Sequence, residues 1–352
     1  MRTKTVLPVL VFAVLCSPAV AQESDLRIGS RVPAELGNLF SRGANYLKES
    51  QKPDGSWPSQ TMFGSNGTGV ASLCILALLS TGEDPNFGPH APAIRRGIEF
   101  LLTKQHQKSG MMGGNAYDFG FSMLALAEAY GAIDGDRLFS NRPKERRTLA
   151  RGLELCVKAA STMKHKTELV GHAWNSTAGS GGVPDTSVAG SVLVGLLAAQ
   201  NAGMQVPDDV MERAFKYFRK MTTATGTVGY FQTRANDYGN SVARSSIAAL
   251  VLSIGKRKSG KEFVATRKFL LANIEKTYDT HPLYGDYYQA QALFQIDYKA
   301  WQSWNRDRLS RAVALANDDG SIGRSRVGNS YGTAMAMLTL ALNYRFLPIY
   351  ER

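Results

Sequence analysis

Cysteine is almost missing from this 352-residue chain. Three are present, and one of them, Cys16, lies inside an N-terminal apolar run. The other two, Cys74 and Cys156, fall in apolar helical stretches and read as small buried hydrophobes, which excludes a disulfide scaffold. Histidine is equally thin: His90, His106, His165, His172 and His281 are scattered without ligand spacing, so no zinc site is expected. A Gly-rich phosphate loop before a helix and a G-x-S-x-G elbow are both lacking, and no cofactor is expected. Beyond residue 21 no apolar stretch reaches the roughly 20 uncharged residues that a membrane-spanning helix needs.

The beginning of the chain does have such character. Arg2 and Lys4 precede an apolar run from Val6 to Cys16, followed by Ala19-Val20-Ala21, the pattern of a secretory signal peptide cut after Ala21. A lipoprotein cleavage at Cys16 is disfavoured by the bulky Leu15 before it. The mature protein is therefore expected to start at Gln22, with a short segment to residue 34, and to be exported to the periplasm or beyond. Losing Arg2 and Lys4 leaves +10 of the formal +12 charge. The remaining Lys and Arg are spread along helices rather than clustered with aromatics, so nucleic acid is not an expected partner.

The stretch "RGANYLKESQKPDGSW", Arg42 to Trp57, breaks an amphipathic helix with Pro53-Asp54-Gly55 and places an indole immediately after it. Arg96-Gly97 opens a second copy, with Phe100-Leu101, Gln105, Gly110 and Met112. Arg151-Gly152 opens a third with Leu155 in the aromatic slot, and Arg213-Ala214 a fourth, with Tyr217-Phe218 and then Gly229-Tyr230. A degenerate fifth surrounds Lys268-Phe269-Leu270, and the sixth runs from Trp301 through Arg308-Leu309 to "NDDGSIG", where Ile322 replaces the tryptophan. After each copy comes a second helical segment, such as "GVASLCILALL" or "SVAGSVLVGLLAAQ", with almost no charge. By amphipathicity the first helix of each pair has a wet side and the second is surrounded by protein. Six such pairs cannot bury their second helices alone and must stack. Because "LALNYRFLPIY" stays apolar near the C-terminus, a closed ring is expected rather than a polar-capped rod. Within it Trp57 fills the gap between repeats and Gln51 caps freed backbone groups.

The repeat resembles that of squalene and terpene cyclases and of protein prenyltransferase β subunits. The last 70 residues, with "YYQAQALFQ", "WQSWNRDRL" and "YGTAMAMLTLALNYRFLPIY", are similar to exported bacterial prenyltransferase and squalene oxidase repeat proteins. The resemblance implies an all-α fold, an (α/α)6 toroid over residues 35 to 352 with about twelve helices between roughly 35 and 347. It does not bring the chemistry of those enzymes. The acidic D-x-D-D motif of a cyclase is lacking: Asp208-Asp209 and Asp318-Asp319 have no Asp two residues upstream, and read as a first-turn pair and a turn. The Asp, Cys and His ligands of prenyltransferase zinc are missing, as is a thioester sequence.

What remains is a recurrence at the starts of the inner helices: Tyr117-Asp118, Asp185-Thr186, Asp237-Tyr238, Asp286-Tyr287-Tyr288 and Ser330-Tyr331. A ring would gather these slots at one mouth. Asp and Ser are also the preferred N-caps, so the same residues suit a purely architectural role. As a ligand site, phenol faces and carboxylates suit a carbohydrate, another small molecule or a lipid. His172 and Trp174, in "GHAWNSTAGSGG", either reach this mouth or belong to a loop. Three functions are compatible with this reading. The leading one is a ligand-binding or scaffold protein, with an apolar or Tyr-lined cavity. An enzyme on polyisoprenoids requires a deep aromatic tunnel topped by an acid, and a polysaccharide-active enzyme requires an open cleft with two opposed carboxylates.

Overall fold

The computed structural model of the chain describes residues 32–60, 67–163, 174, 184–231, 241–276, 281–323 and 325–350. The signal-peptide expectation falls outside them. Twelve α-helices are present among the described residues: α1 (Ala34–Ser50), α2 (Thr68–Leu79), α3 (Ala91–Lys104), α4 (Ala116–Ala129), α5 (Leu149–Thr162), α6 (Thr186–Asn201), α7 (Asp208–Met221), α8 (Val242–Ile254), α9 (Lys261–Ala272), α10 (Pro282–Ile296), α11 (Tyr298–Ala314) and α12 (Asn329–Leu340). The even-numbered helices pack in the order α2, α4, α6, α8, α10, α12 and back to α2, which closes an inner ring. Each odd-numbered helix lies outside, packed chiefly against the inner helix of the preceding repeat, as α3 is on α2, α9 on α8 and α1 on α12. This is the expected α/α toroid.

The charge contrast between paired helices explains the two layers. Every residue of α2 and α8 is buried, whereas α1 and α7 bury only one stripe and keep their charges outside. In α7 the first turn carries Asp208 and Asp209 and the last turn Arg219 and Lys220, both favourable to the helix dipole. Asp209 also pairs with Arg213. Cys74 and Cys156 are fully buried free thiols, and burial raises both pKa values, so they behave as the small hydrophobes expected.

Neighbouring repeats are fastened by one recurring turn. Trp57 is 1% exposed, and its indole N–H donates to the Leu47 carbonyl at 2.7 Å. Gln51 Nε2 donates to the carbonyls of Gly55 and Ala93 at 3.1 and 2.9 Å, while its Oε1 accepts from Arg96. Gln105 repeats this one unit on, donating to Gly110 and to Gly152 of α5 at 3.1 and 2.8 Å. Gly55, Gly110, Gly226 and Gly320 all have positive φ, between 78° and 89°, and a Cβ on any of them would run into the backbone of the next outer helix. At Gly320 that next helix is α1, through the Arg42 carbonyl, and Arg42 also donates to Asn317 O. The sixth repeat thus grips the first with the same device that joins the others. In the fourth repeat the turn is Gly226 followed by buried Val228, three and two residues earlier than the expected Gly229-Tyr230. Trp174 is 3% exposed; its indole donates to Ala160 O at 3.0 Å on the end of α5, and its carbonyl accepts the Asp185 N–H at 3.0 Å at the start of α6. His172 lies outside the described residues.

Candidate ligand site

The starts of α4, α10 and α12 meet at one end of the bore. Tyr117 is the second residue of α4 and Tyr284 the third of α10; these helices stand opposite each other in the ring, yet the two phenol rings are 5.9 Å apart. One turn deeper Phe121 of α4 approaches Tyr287 of α10 at 6.2 Å. Tyr288 joins both layers, 4.9 Å from Tyr284 and 4.8 Å from Tyr287 in edge contacts, the geometry that aromatic quadrupoles favour. Aromatic side chains therefore bridge the bore from wall to wall. Tyr117, Tyr284 and Tyr331 are partly exposed at the mouth, while Tyr287 and Tyr288 are buried beneath them.

Burial dominates the electrostatics of this cluster. It drives the phenols of Tyr117, Tyr284 and Tyr288 well above their usual range, with mutual repulsion among them and Tyr331 adding to the effect. Burial also raises Tyr331, and it raises Tyr287 to about 12. All five are neutral hydroxyls near neutral pH. The Tyr284 hydroxyl oxygen is buried, with the hydroxyls of Tyr117 and Ser187 as its polar neighbours. Farther along the bore, Gln291 Oε1 is buried and unpartnered. Near the closed end Glu128 of α4 is 5% exposed, accepts the Ile349 N–H at 3.4 Å, and is pushed by burial up to about 7. The C-terminal stretch, with short 3-10 turns at Ala341–Asn343 and Pro348–Tyr350, covers this end.

The sequence-predicted acids do not line the mouth as a set. Asp185 is an N-cap: its Oδ1 accepts the N–H groups of Ser187 and Val188 at 2.7 and 3.3 Å. Asp118 is not the cap of α4; that role belongs to Asn115, whose Oδ1 accepts the Asp118 N–H at 2.9 Å. The Asp118 carboxylate is pressed instead against the start of α2, where a Cβ on Gly69 would lie 2.2 Å from Oδ1. Asp286 stands a full turn inside α10 and faces outward, accepting from Arg308 Nε of α11 at 3.0 Å. Burial raises its carboxyl and the Arg308 charge opposes this, with a net upward shift. The correction has a simple cause, since Tyr287 and Asp286 are adjacent on a helix and must face different ways. Asp237 and Tyr238 lie outside the described residues. Of the remaining candidates, Tyr117, Tyr287 and Tyr331 do converge.

Tyr284, Phe121, Gln291 and Glu128 were not among the expected residues. Tyr284, Tyr287, Tyr288 and Gln291 fall at i, i+3, i+4 and i+7 of α10, a stripe legible in "YGDYYQAQ" once the helix is placed. Among the described residues no group of three or more His, Cys, Asp or Glu could hold a metal ion, and no helix is long and apolar enough to cross a membrane.

The family described as a domain of unknown function (DUF6288) matches residues 37–334. A stretch of 79 residues is 37% identical to lanosterol synthase erg7A of Aspergillus fumigatus, covering 22% of this chain and 10% of that protein. Among solved structures, an inactive variant of the α-1,6-mannanase GH76A of Salegentibacter sp. HEL1_6 with bound α-1,6-mannotriose is similar at a TM-score of 0.62 and 12% identity, over 88% of this chain and 99% of that one. The type II terpene cyclase MstE from Scytonema, with geranylgeranyl dihydroxybenzoate bound, is similar at 0.57 and 15% identity, over 89% and 98%. At these identities the likeness shows the toroid alone, and the toroid houses both kinds of enzyme.

Proposed function

Starting from a chain that belongs to the DUF6288 family, we propose an exported ligand-binding protein that takes a hydroxylated ligand, a saccharide in the first instance, on the phenols at the mouth of its ring. The observation that carries this reading is the aromatic bridge between α4 and α10: Tyr117 and Tyr284 meet across the bore and leave a shallow phenol-lined floor at its entrance. Phenol faces stack on the CH surfaces of sugars, and neutral hydroxyls exchange hydrogen bonds with sugar hydroxyls. A polyisoprenoid chain needs depth, and Phe121, Tyr287 and Tyr288 occupy it. Glycosidic acid/base chemistry needs opposed carboxylates, and Asp118, Asp185 and Asp286 are each engaged with the wall.

The test is a thermal-shift comparison of wild type, Tyr284→Phe and Tyr117→Ala against α-1,6-mannotriose, other neutral oligosaccharides, isoprenoid alcohols and phospholipids. Tyr284→Phe keeps the ring contacts, so the unliganded melting temperature should stay close to wild type while stabilisation by a saccharide shrinks. Tyr117→Ala should remove most of it. If every ligand that stabilises the wild type stabilises both variants equally, the mouth is not the site.

A further inference from the structure

A second concavity lies on the outer wall, away from the bore. It is a groove of about 650 Å³ between the first inter-repeat turn, α3 and the segment around residues 140–145. Its volume is in the range of small-ligand sites. Four cations line it, Arg95, Arg96, Lys104 and Arg142, against three acids, Asp54, Glu99 and Glu145. The acids are already occupied within the protein. Glu99, 9% exposed, accepts the Phe139 N–H at 2.7 Å through one oxygen and Arg142 at 2.9 Å through the other. Glu145 accepts from the second arm of the same Arg142 at 2.8 Å. Asp54 Oδ1 accepts the N–H and hydroxyl of Ser56 at 3.0 and 2.7 Å; burial alone would raise its carboxyl, but these bonds and the positive charges of Lys52 and Lys104 hold it below the usual carboxylate range.

Among the cations, Arg142 is matched by Glu99 and Glu145, but Arg95 and Arg96 have no acid partner among the described residues. Arg96 spends its guanidinium on the neutral Gln51 side chain, so its charge is retained. Arg95, beside it on α3, forms no ion pair among the described residues. The two guanidinium groups therefore leave a net positive end to the groove. The exposed rings of Pro53 and Pro92 supply flat CH faces, while Thr103, Ser140 and Asn141 supply neutral hydrogen-bonding groups. A guanidinium recognises carboxylate and sulfate by forked hydrogen bonds, and Arg95 and Arg96 each bring one to the groove wall. Flat CH faces with hydroxyl and amide partners suit a pyranose ring.

The geometry points to a second binding site on the outer wall, formed by Arg95 and Arg96 with Pro53, Pro92 and Asn141, for an acidic oligosaccharide segment carrying uronate or sulfate groups. It is independent of the mouth, shares no residue with it, and reads charge where the mouth reads hydroxyls.

The experiment is calorimetric titration of the full chain with trigalacturonate, with α-1,6-mannotriose as the neutral arm and inorganic phosphate as the bare-anion arm. Wild type should bind trigalacturonate, with affinity falling as salt is raised. Arg95→Gln should weaken it about tenfold, the worth of one charge-assisted hydrogen bond, with the melting temperature unchanged because Arg95 makes no ion pair among the described residues. Tyr117→Ala should leave this binding intact, which separates the groove from the mouth. The inference is overturned by the absence of trigalacturonate binding, by equal affinity in wild type and Arg95→Gln, or by phosphate competing as strongly as the trisaccharide.

Discussion

Trp57 shows how much one side chain can hold. Its indole is in contact distance of a Cβ placed at Gly97 of α3, 3.2 Å away, while its N–H is tied back to α1, so it joins two outer helices at once. Trp57→Ala should cost about 3–5 kcal/mol, the range for truncating a buried large aromatic, measured as a shift in the urea unfolding midpoint. Glu128 makes the opposite point. Burial holds its folded pKa near 7 against a usual 4.5, with the Ile349 N–H opposing only in part. The folded state thus binds a proton that the unfolded state releases above 4.5, so the stability it contributes is present in acid and lost as pH rises toward and through 7. The span corresponds to about 3 kcal/mol. The melting temperature should fall between roughly pH 4.5 and 7, and Glu128→Gln should abolish that part of the slope. The indole was legible in the sequence because its slot recurs after a glycine. Glu128 was not, since a single Glu near the end of "LALAEAYG" reads as a solvated residue until ring closure and the C-terminal stretch enclose it.

At the level of the helix pair, the glycine turn decides the packing. Gly226 has φ of +86°, and a Cβ there would sit 2.1 Å from the Ala265 carbonyl oxygen, a backbone atom of α9 that cannot swing aside. Gly131 has nearly the same φ, +83°, but nothing within 4 Å of its missing Cβ. Gly131→Ala should therefore cost only the left-handed backbone term of about 1–2 kcal/mol. Gly226→Ala should add steric displacement of α9 and cost on the order of 2–4 kcal/mol. Chemical denaturation of the two variants separates conformation from contact. The alternation of charged and nearly uncharged helices was readable directly, because burial on one side or on all sides leaves different compositions. The orientation of the acids was not. Asp118, Asp185 and Asp286 share a neighbourhood in the repeat, but one, two or four residues from a helix start is a rotation of about 100° per residue, enough to send Asp286 to Arg308 rather than to the bore.

For the whole molecule, the closed inner ring defines both what is enclosed and what is left outside. The bore receives one stripe from each inner helix, and which stripes meet depends on helices opposite one another in the ring and far apart in sequence, as Tyr117 and Tyr284 are. No local pattern contains that pairing, so the aromatic floor emerged only with the fold. Closure through Gly320 and Arg42 carries a further consequence, in time rather than in space. Arg42 meets its partner Asn317 across 275 residues of chain. At about 5–20 residues per second, synthesis delivers the second roughly a quarter to one minute after the first. During that interval the side of α2 that will meet α12 has no partner, and the apolar face of α1 that Ile322 and Met337 will cover is bare. The first repeat must wait for the last, so the nascent chain carries a sticky seam for nearly the whole of its manufacture, and its need for chaperoning is set by ring topology more than by final stability.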